Sequence, residues 1–225
     1  MEVTNSEIMR YLKSGKNVSD GSLSALIEEM VNALKENITP KSVFCIYECR
    51  VDSRQVTFGG MTVSSLSLAK HLEGCCRAVL LAATLGAKTD ILIRRYSIQH
   101  MEKTLIAQAV SAAMIEAYCD ETEKEILQKR ELNGLFSVTR YSPGYGDFDI
   151  TCQKEILNML GASRIGLSLT DGFMLTPSKS VTAVIGFSRE QKKTESEKAR
   201  CFRCERCFSC ACCEDKNCGI RGEVQ

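Results

Sequence analysis

Seven cysteines lie close together at the end of the chain, in the pattern C-x2-C-x2-C-x2-C-x-C-C-x4-C. Clustered thiolates in a chain without an export signal favour a metal over disulfides, because a metal disperses their negative charge. Structural zinc and iron–sulfur clusters are both usually held by four cysteines, so the spacing leaves zinc and iron–sulfur open. A thiol-rich tail without metal is the alternative. The predicted ligands are Cys201, Cys204, Cys207, Cys210, Cys213 and Cys218, and the seventh thiol is Cys212.

The loop at residues 140–147, RYSPGYGD, is the second candidate for binding chemistry. The Arg140 side chain can bind a carboxylate through two parallel hydrogen bonds. The glycines, Gly144 and Gly146, let a ligand approach the backbone closely. The loop could therefore bind the end group of an amino acid, whereas Pro143 followed by Gly144 is also typical of an ordinary β-turn.

The composition argues against several classes of function. Lys and Arg number 29 against 28 Asp and Glu, so the chain lacks the basic excess on which non-specific nucleic-acid binding depends, and no nucleic-acid partner is predicted. Neither G-x-x-x-x-G-K-[ST] nor G-x-G-x-x-G after a strand occurs, which leaves nucleotide hydrolysis and dinucleotide binding without support. The two histidines, His71 and His100, have no ligand at matched spacing and are predicted to be surface or half-buried residues.

The chain is predicted to be a soluble cytoplasmic protein. Hydrophobic residues make up 44% of it, enough for a core, and the six cysteines before residue 201 are predicted to be small core residues. No apolar run reaches the ~18–20 residues that cross a bilayer, and the N-terminus lacks the basic and then apolar order of a secretory signal. We therefore expect neither a membrane partner nor export.

Helices and strands are mixed along the chain without a regular βαβ alternation, which predicts an α+β fold with a largely antiparallel sheet. One predicted helix, about 100–128, has an apolar face that includes Leu105, and we expect this face to pack on the sheet. Residues 1–188 are predicted to form the body, 189–200 a charged linker and 201–225 the cysteine-rich tail. The other predicted helices are 7–12, 22–35, 65–72, 89–97 and 153–160, and the predicted strands are 42–51, 55–58, 78–83, 135–139, 165–169 and 181–187.

The run 140–145, RYSPGY, matches the R-x-x-x-G-Y motif of the activation (reactivation) domain of cobalamin-dependent methionine synthase. The segment from 168–171 through 180–186 resembles the strand–loop–strand that follows this motif in the family. Residues 80–86, LLAATLG, and the ending Cys210-x2-Cys213-x4-Cys218-x2-Arg221 are similar to free-standing bacterial members. The resemblance covers most of residues 1–188. One departure is Ile185-Gly186, where the synthase domain has an aromatic pair.

The resemblance implies a C-shaped α+β domain with a twisted antiparallel sheet, flanking helices and an extended groove that binds S-adenosylmethionine. It implies that the motif contacts this cofactor through its arginine and its backbone. The residues carried over are Arg140, Ser142, Pro143, Gly144 and Tyr145. Arg140 would hold the methionine carboxylate or neighbouring polar atoms, Gly144 would permit the close approach, and Tyr145 would face the cobalamin.

The function implied by the resemblance is support for the reductive remethylation of cob(II)alamin. One-electron reduction of this inactive state is uphill, and coupling it to methyl transfer from a sulfonium pulls it forward, while the protein aligns donor and cobalt. The chain contains no homocysteine, folate or cobalamin module. The implied partner in trans is therefore a methionine synthase lacking its own activation domain, or another corrinoid protein, together with an electron donor. An iron–sulfur cluster in the tail could relay the electron, whereas zinc could only fold the tail or dock a partner.

Two other functions are compatible with the sequence. The first is a metal-binding interaction protein whose cysteine tail docks a partner, without a role in methyl transfer. The second is an ordinary small-molecule methyltransferase, which is disfavoured because the glycine-rich strand–turn–helix of the common methyltransferase fold is missing. We expect the chain to be a component of methionine synthase activity rather than a complete enzyme by itself.

Overall fold

The computed structural model describes residues 3–12 and 21–191. The strands of this part of the chain are β1 (Lys41–Asp52), β2 (Gln55–Phe58), β3 (Met61–Ser64), β4 (Cys75–Thr84), β5 (Phe136–Ser137), β6 (Ser168–Leu169), β7 (Leu175–Thr176) and β8 (Ser180–Ser188). Six of them form one sheet in the order β3-β2-β1-β4-β8-β5, and each neighbouring pair runs antiparallel. The remaining two, β6 and β7, pair as a separate antiparallel hairpin.

Six helices and two 3-10 turns accompany these strands in the described residues. The side chain of Thr4 accepts from the backbone N–H of Glu7, and the Glu7 carboxylate accepts from the backbone N–H of Thr4, so a capping box begins the first helix. The last helix ends at Gly161, whose φ of 57° is the left-handed conformation that closes many helices. The helices are α1 (Asn5–Tyr11), α2 (Gly21–Asn37), α3 (Leu66–His71), α4 (Ala87–Gln99), α5 (Met101–Leu127) and α6 (Cys152–Leu160), and the 3-10 turns are Arg130–Leu132 and Ala162–Ile165.

Strand β4 lies at the centre of the sheet because nearly all of its side chains are apolar. Its residues 78–84 are all buried. On one side, Cys45 of β1 lies opposite Leu80, and on the other side Val184 of β8 lies opposite the same residue. A continuous apolar run is typical of a strand that is covered on both faces of its sheet. The position of β4 therefore follows from its composition.

Separate cores cover the two faces of the sheet. On one face, Leu80 packs in a cluster with Phe148 and with Ile156 of α6. On the other face, Leu81 packs in a cluster with Ile126 near the end of α5. Phe148, the residue that follows 140–147, is thus anchored in the first core.

A third core lies among the helices, beside the ends of β4 and β8. Ile8 of α1, Met30 of α2 and Leu92 of α4 are buried there with Met114 of α5. The apolar face of α5 therefore packs mainly on other helices, whereas the sequence predicts that it packs on the sheet. Leu105, which the sequence places on that face, is 59% exposed.

The α+β fold with an antiparallel sheet and flanking helices is confirmed. Three details of the predicted elements are wrong, and the first is that the sequence predicts no strand at Leu175–Thr176. The sequence also predicts no strand at Met61–Ser64, whereas the tight Gly59-Gly60 turn joins this four-residue strand to β2 as a hairpin. Ile165 ends a 3-10 turn instead of beginning a strand, since Gly166 follows it in the left-handed conformation.

The predicted tail, 201–225, and residues 192–200 of the predicted linker lie outside the described residues, so these domain boundaries stay predictions. No helix in the described ranges is both long enough and apolar enough to span a membrane.

Candidate functional site

The loop that follows β5, residues 140–147, is fastened to the sheet by its backbone. Tyr141 and Val184 of β8 exchange two N–H···O hydrogen bonds, of 3.0 and 2.8 Å. Beyond this pair the chain turns, and the Gly144 N–H donates to the carbonyl of Phe148 at 2.7 Å. This segment, called the site loop below, therefore has a defined conformation next to β8.

Two glycines allow the site loop to turn. Gly144 has a φ of +94° and Gly146 a φ of +56°, values that side-chain-bearing residues rarely adopt. A Cβ atom on Gly144 would lie 3.2 Å from Cδ1 of Ile150, and one on Gly146 would lie 2.5 Å from Oγ of Ser67. A side chain at Gly146 would therefore collide with Ser67, and one at Gly144 would be strained by its φ and would press on the end of the Ile150 side chain.

Asp147 joins the end of the site loop to the start of α3. Its carboxylate accepts hydrogen bonds from the Ser65 hydroxyl at 2.6 Å and from the backbone N–H groups of Leu66 at 2.8 Å and Ser67 at 2.9 Å. These bonds favour the ionised form, with the Ser65 bond foremost, and hold the pKa of Asp147 well below its usual range. The anchor is therefore ionised at neutral and mildly acidic pH.

Aromatic rings support the site loop. The ring centroid of Tyr141 lies 4.8 Å from that of His71 and 6.3 Å from that of the buried Phe148. Nε2 of His71 lies 2.7 Å from the carbonyl oxygen of Thr139, the residue before the loop. His71 is half-buried, in agreement with the sequence, and contacts the chain that enters the loop. In contrast, Tyr145 is 63% exposed.

Three carboxylates of α5 hold the side chain of Arg140. Its Nη1 donates to Asp120 at 2.8 Å and to Glu123 at 2.7 Å, and its Nη2 donates to Glu116 at 2.9 Å. The carboxylates are spaced i, i+4 and i+7, so they lie on one face of the helix. These bonds leave the Nε–H and one Nη2–H of the guanidinium for another acceptor. Arg140 with its three carboxylates is called the Arg140 cluster below.

The Arg140 cluster is partly shielded from water and carries excess negative charge. The Arg140 side chain is only 20% exposed. Burial alone would lower the pKa of Arg140, but the hydrogen bond to Asp120 and the charge of Glu123 outweigh it and raise that pKa. Burial raises the pKa of Glu123, although Arg140 opposes the change. Because carboxylates outnumber the guanidinium, the ionised cluster attracts a cation.

A cavity of about 330 Å³ opens beside the Arg140 cluster. Of the residues that the sequence predicts to bind a ligand, Arg140, Ser142 and Tyr145 line this cavity. Pro143 is buried and Gly144 is exposed at the turn, and neither is among the lining residues. The lining residues are Glu116, Asp120, Glu123, Thr139, Arg140, Ser142, Tyr145 and Val181.

The carboxylates at Glu116, Asp120 and Glu123 are site residues that the R-x-x-x-G-Y motif does not predict. Their helical spacing in α5 is a signal in the sequence. The same spacing is typical of a solvated helix face, however, and most helices of this length carry such a face. Only the packing of the site loop against α5 identifies this face as part of a cavity.

Three of the six cysteines of the body are buried core residues, as predicted, and the other three are only partly buried. The buried ones are Cys49, Cys75 and Cys119, and all six are free thiols. Burial raises the pKa of Cys49 and of Cys119 to about 12, so both are protonated at neutral pH. Among the residues that the structure describes, no group of His, Cys, Asp and Glu side chains could hold a metal. The predicted metal ligands, Cys201 to Cys218, lie outside those residues.

Comparison with known proteins identifies the family of this chain. The family model for "Vitamin B12 dependent methionine synthase, activation domain" matches residues 78–200, more than half of the chain, and this range includes α5 and the site loop. No curated protein matches the chain. A solved structure of the MetH reactivation domain bound to AdoHcy is similar, with a TM-score of 0.59 and 14% sequence identity over 85% of this chain and 72% of that chain. At this identity the likeness shows a shared fold. The chain therefore belongs to the activation-domain family of vitamin B12 dependent methionine synthase.

Proposed function

We propose that the protein binds S-adenosylmethionine in the cavity beside Arg140 and supports the reductive remethylation of cob(II)alamin. The corrinoid would be carried in trans, by a cobalamin-dependent methionine synthase or a related corrinoid protein. Family membership and the likeness to a reactivation domain bound to AdoHcy support this proposal. The observation that carries it is the Arg140 cluster in the wall of a cavity at the R-x-x-x-G-Y loop.

The charge of the Arg140 cluster is complementary to that of S-adenosylmethionine. The ligand carries a sulfonium, an ammonium and one carboxylate, so it is a net cation. Glu116, Asp120 and Glu123 supply negative charge in excess of what Arg140 neutralises. Opposite charges attract more strongly in a partly buried site than in bulk water. The carboxylates would hold the cationic centres, while the two remaining N–H donors of Arg140 would face the carboxylate of the ligand.

Tyr145 gives this cavity an exposed aromatic rim. Its side chain lines the cavity and is 63% exposed. Its backbone is fixed, because its N–H donates to the carbonyl of Ser142 at 3.2 Å. An aromatic side chain that is held in place yet open to solvent is suited to contact a flat macrocycle. Tyr145 would therefore mark the side of the cavity from which the cobalt approaches.

The supported reaction needs one electron and one methyl group. The electron reduces cob(II)alamin to cob(I)alamin, whose cobalt then supplies the electron pair for the new bond to the methyl carbon. The pair of the broken C–S bond leaves with the sulfur, so the products are methylcobalamin and S-adenosylhomocysteine. The electron would come from a one-electron donor protein, or from an iron–sulfur cluster held by the cysteines of 201–225. The described residues of this chain contribute alignment and electrostatic fit.

Calorimetry tests the binding half of the proposal. S-adenosylmethionine titrated into the full chain should bind at one site, whereas free methionine and adenosine should bind much more weakly because each makes only part of the contacts. Absence of binding by S-adenosylmethionine would overturn the proposed function and favour a protein that acts through its cysteine tail.

An anaerobic assay tests the role in trans. A methionine synthase truncated before its activation domain is prepared in the cob(II)alamin form and given S-adenosylmethionine and titanium(III) citrate as the reductant. Addition of this protein should convert the cob(II)alamin absorption to that of methylcobalamin. An equal rate without the protein would show that it does not support remethylation of that partner.

A further inference from the structure

A second cavity lies between α1 and α5. Its volume is about 160 Å³, and most of the side chains that line it are charged. Glu116, Asp120 and Arg140 line both this cavity and the larger one. The two cavities therefore share these three members of the Arg140 cluster as a common wall, whereas Glu123 lines only the larger cavity. The lining residues of the second cavity are Glu7, Arg10, Tyr11, Ala113, Glu116, Ala117, Asp120 and Arg140.

Helix α1 brings three side chains to this cavity. Glu7, Arg10 and Tyr11 are spaced i, i+3 and i+4, so they share one face of the helix. Next to this face, Ile8 is fully buried in the core that α1 shares with α5. Burial, followed by the charge of Glu116 on α5, raises the pKa of Tyr11. The burial of Ile8 therefore holds α1 against α5.

The second cavity offers partners of both charges. Arg140 is already bound by three carboxylates. In contrast, Arg10 forms no ion pair with any carboxylate in the described ranges. Its guanidinium can therefore donate two parallel hydrogen bonds to an incoming carboxylate, while Glu116 and Asp120 can accept from an ammonium group. A zwitterion with both groups on one carbon fits this arrangement.

The volumes of the two cavities favour different parts of S-adenosylmethionine. A water molecule occupies about 30 Å³ of liquid, so 160 Å³ corresponds to about five water-sized groups. This suits an ammonium group, one carbon and a carboxylate better than a purine with its ribose. The larger cavity, at 330 Å³, has about twice the room and includes the aromatic side chain of Tyr145.

We infer that the cavity between α1 and α5 binds the amino-acid end of S-adenosylmethionine, with Arg10 donating to its carboxylate alongside the two remaining N–H donors of Arg140. The inference rests on the proposed function of the larger cavity, which would take the adenosine. The sulfonium joins these two parts of the ligand, so it lies at the common wall beside Glu116 and Asp120. Helix α1 lies outside residues 78–200, so the family match gives Arg10 no role.

Calorimetry with two ligands that both have an uncharged sulfur tests the contact between Arg10 and the ligand carboxylate. S-adenosylhomocysteine and 5′-methylthioadenosine share the adenosine, but only the first has the amino-acid end. Arg10→Gln in the full chain should lower the affinity for S-adenosylhomocysteine about tenfold, because one charge-assisted contact is lost. The affinity for 5′-methylthioadenosine should not change. Arg10→Lys keeps the charge but not the two parallel donors, so its affinity for S-adenosylhomocysteine should lie between those of the unmodified protein and Arg10→Gln. The matched control is Arg94→Gln, on the exposed face of α4, and it should bind both ligands normally.

The outcomes separate this inference from the proposed function. Circular dichroism establishes that each variant is folded, and Glu7 is left unchanged because it caps α1. The inference is overturned if folded Arg10→Gln binds S-adenosylhomocysteine as the unmodified protein does, or loses both ligands equally. It is also overturned if the unmodified protein binds the two ligands with equal affinity. In each of these cases the proposed function stands, whereas failure of the unmodified protein to bind either ligand refutes the proposed function itself.

Discussion

Nη1 of Arg140 lies 2.7 Å from Oε1 of Glu123, and this contact joins the R-x-x-x-G-Y loop to helix α5. The two residues are 17 positions apart in the chain, so the contact is made by tertiary packing. Burial raises the pKa of Glu123, and removal of Arg140 would leave that carboxylate without its cation. The attachment of the loop and the charge of the cavity therefore depend on the same pair.

Replacing Arg140 should both weaken the binding of S-adenosylmethionine and destabilise the attachment of the site loop to α5. Arg140→Ala removes the donors for the ligand and leaves three carboxylates facing one another, so we expect a loss of about 1.5–3 kcal/mol in binding, or about tenfold or more in affinity. The melting temperature should also fall. Arg140→Lys is the matched control, because it keeps the charge but cannot bridge all three carboxylates. Calorimetry and thermal unfolding measure the two effects, and unchanged affinity in folded Arg140→Ala would remove this residue from the site.

Affinity for S-adenosylmethionine should decrease as the pH is lowered into the acidic range. The pKa of Glu123 is raised above its usual value of 4.5, so this carboxyl takes up a proton at a higher pH than an ordinary glutamate, and the cavity then loses negative charge. Glu123→Gln should bind the ligand several-fold more weakly at pH 7 and show a flatter pH dependence. Calorimetry at a series of pH values checks this, and an equally steep profile in Glu123→Gln would assign the titration to another group.

Thermal unfolding provides a control for the same variant. A carboxyl whose pKa is raised on folding stabilises the folded state at low pH, and this contribution is lost as the pH rises through the raised pKa. Glutamine also keeps an acceptor for Arg140. Glu123→Gln should therefore change the melting temperature little at pH 7, so that its loss of affinity is a charge effect and not a loss of fold.

A side chain at Gly144 should abolish binding of S-adenosylmethionine. The φ of +94° is strained for any other residue, and a Cβ would lie 3.2 Å from Cδ1 of Ile150, so Gly144→Val must shift the loop that carries Tyr145. Gly60→Val is the matched control, since Gly60 has a φ of +87° and open space around it, away from the cavity. Both variants carry similar backbone strain, and only the first should lose the ligand in calorimetry. Normal binding by Gly144→Val would make the segment an ordinary turn.

The cysteine-rich tail should carry a metal when the full chain is purified without air. The predicted ligands, Cys201 to Cys218, include three C-x2-C spacings in succession, which suit both zinc and iron–sulfur. We expect broad visible absorption from an iron–sulfur cluster, because the supported reaction uses one electron. Metal analysis with visible spectroscopy measures this, and Cys204→Ser should reduce the metal content. A colourless protein with stoichiometric zinc would refute electron relay by the tail, and a metal-free protein would refute the metal site.

The centre of the sheet could be predicted because a single strand carries its signal. The apolar run within β4 is bounded by polar residues, and burial of that run leaves little choice but a central position. Strand β3 is missing from the prediction although its sequence carries a signal. Its four residues alternate between buried and exposed, and Gly59-Gly60 is a two-residue turn typical of a hairpin with β2, a strand of the same length that is predicted.

The sequence likewise predicts some residues of the site and not others. Arg140 and Tyr145 could be predicted, since the motif that contains them is continuous in the chain and both line the cavity. Glu116 and Asp120 could not, because acidic residues at helical spacing have the same pattern whether they face water or a neighbouring arginine. They become site residues only because the site loop packs against α5, and this tertiary contact cannot be read from the local sequence.

The backbone pairing of Tyr141 with Val184 has a consequence for how a corrin could reach the site. Amide hydrogens in such a pair exchange with solvent only when the strands separate, so those of Tyr141 and Val184 should be among the slowly exchanging amides. Tyr141, tied to the sheet in this way, holds the start of the site loop against β8. If the protein acts on a corrinoid carried in trans, as proposed, the motion that brings cobalt and methyl group together would then be made by the corrinoid carrier.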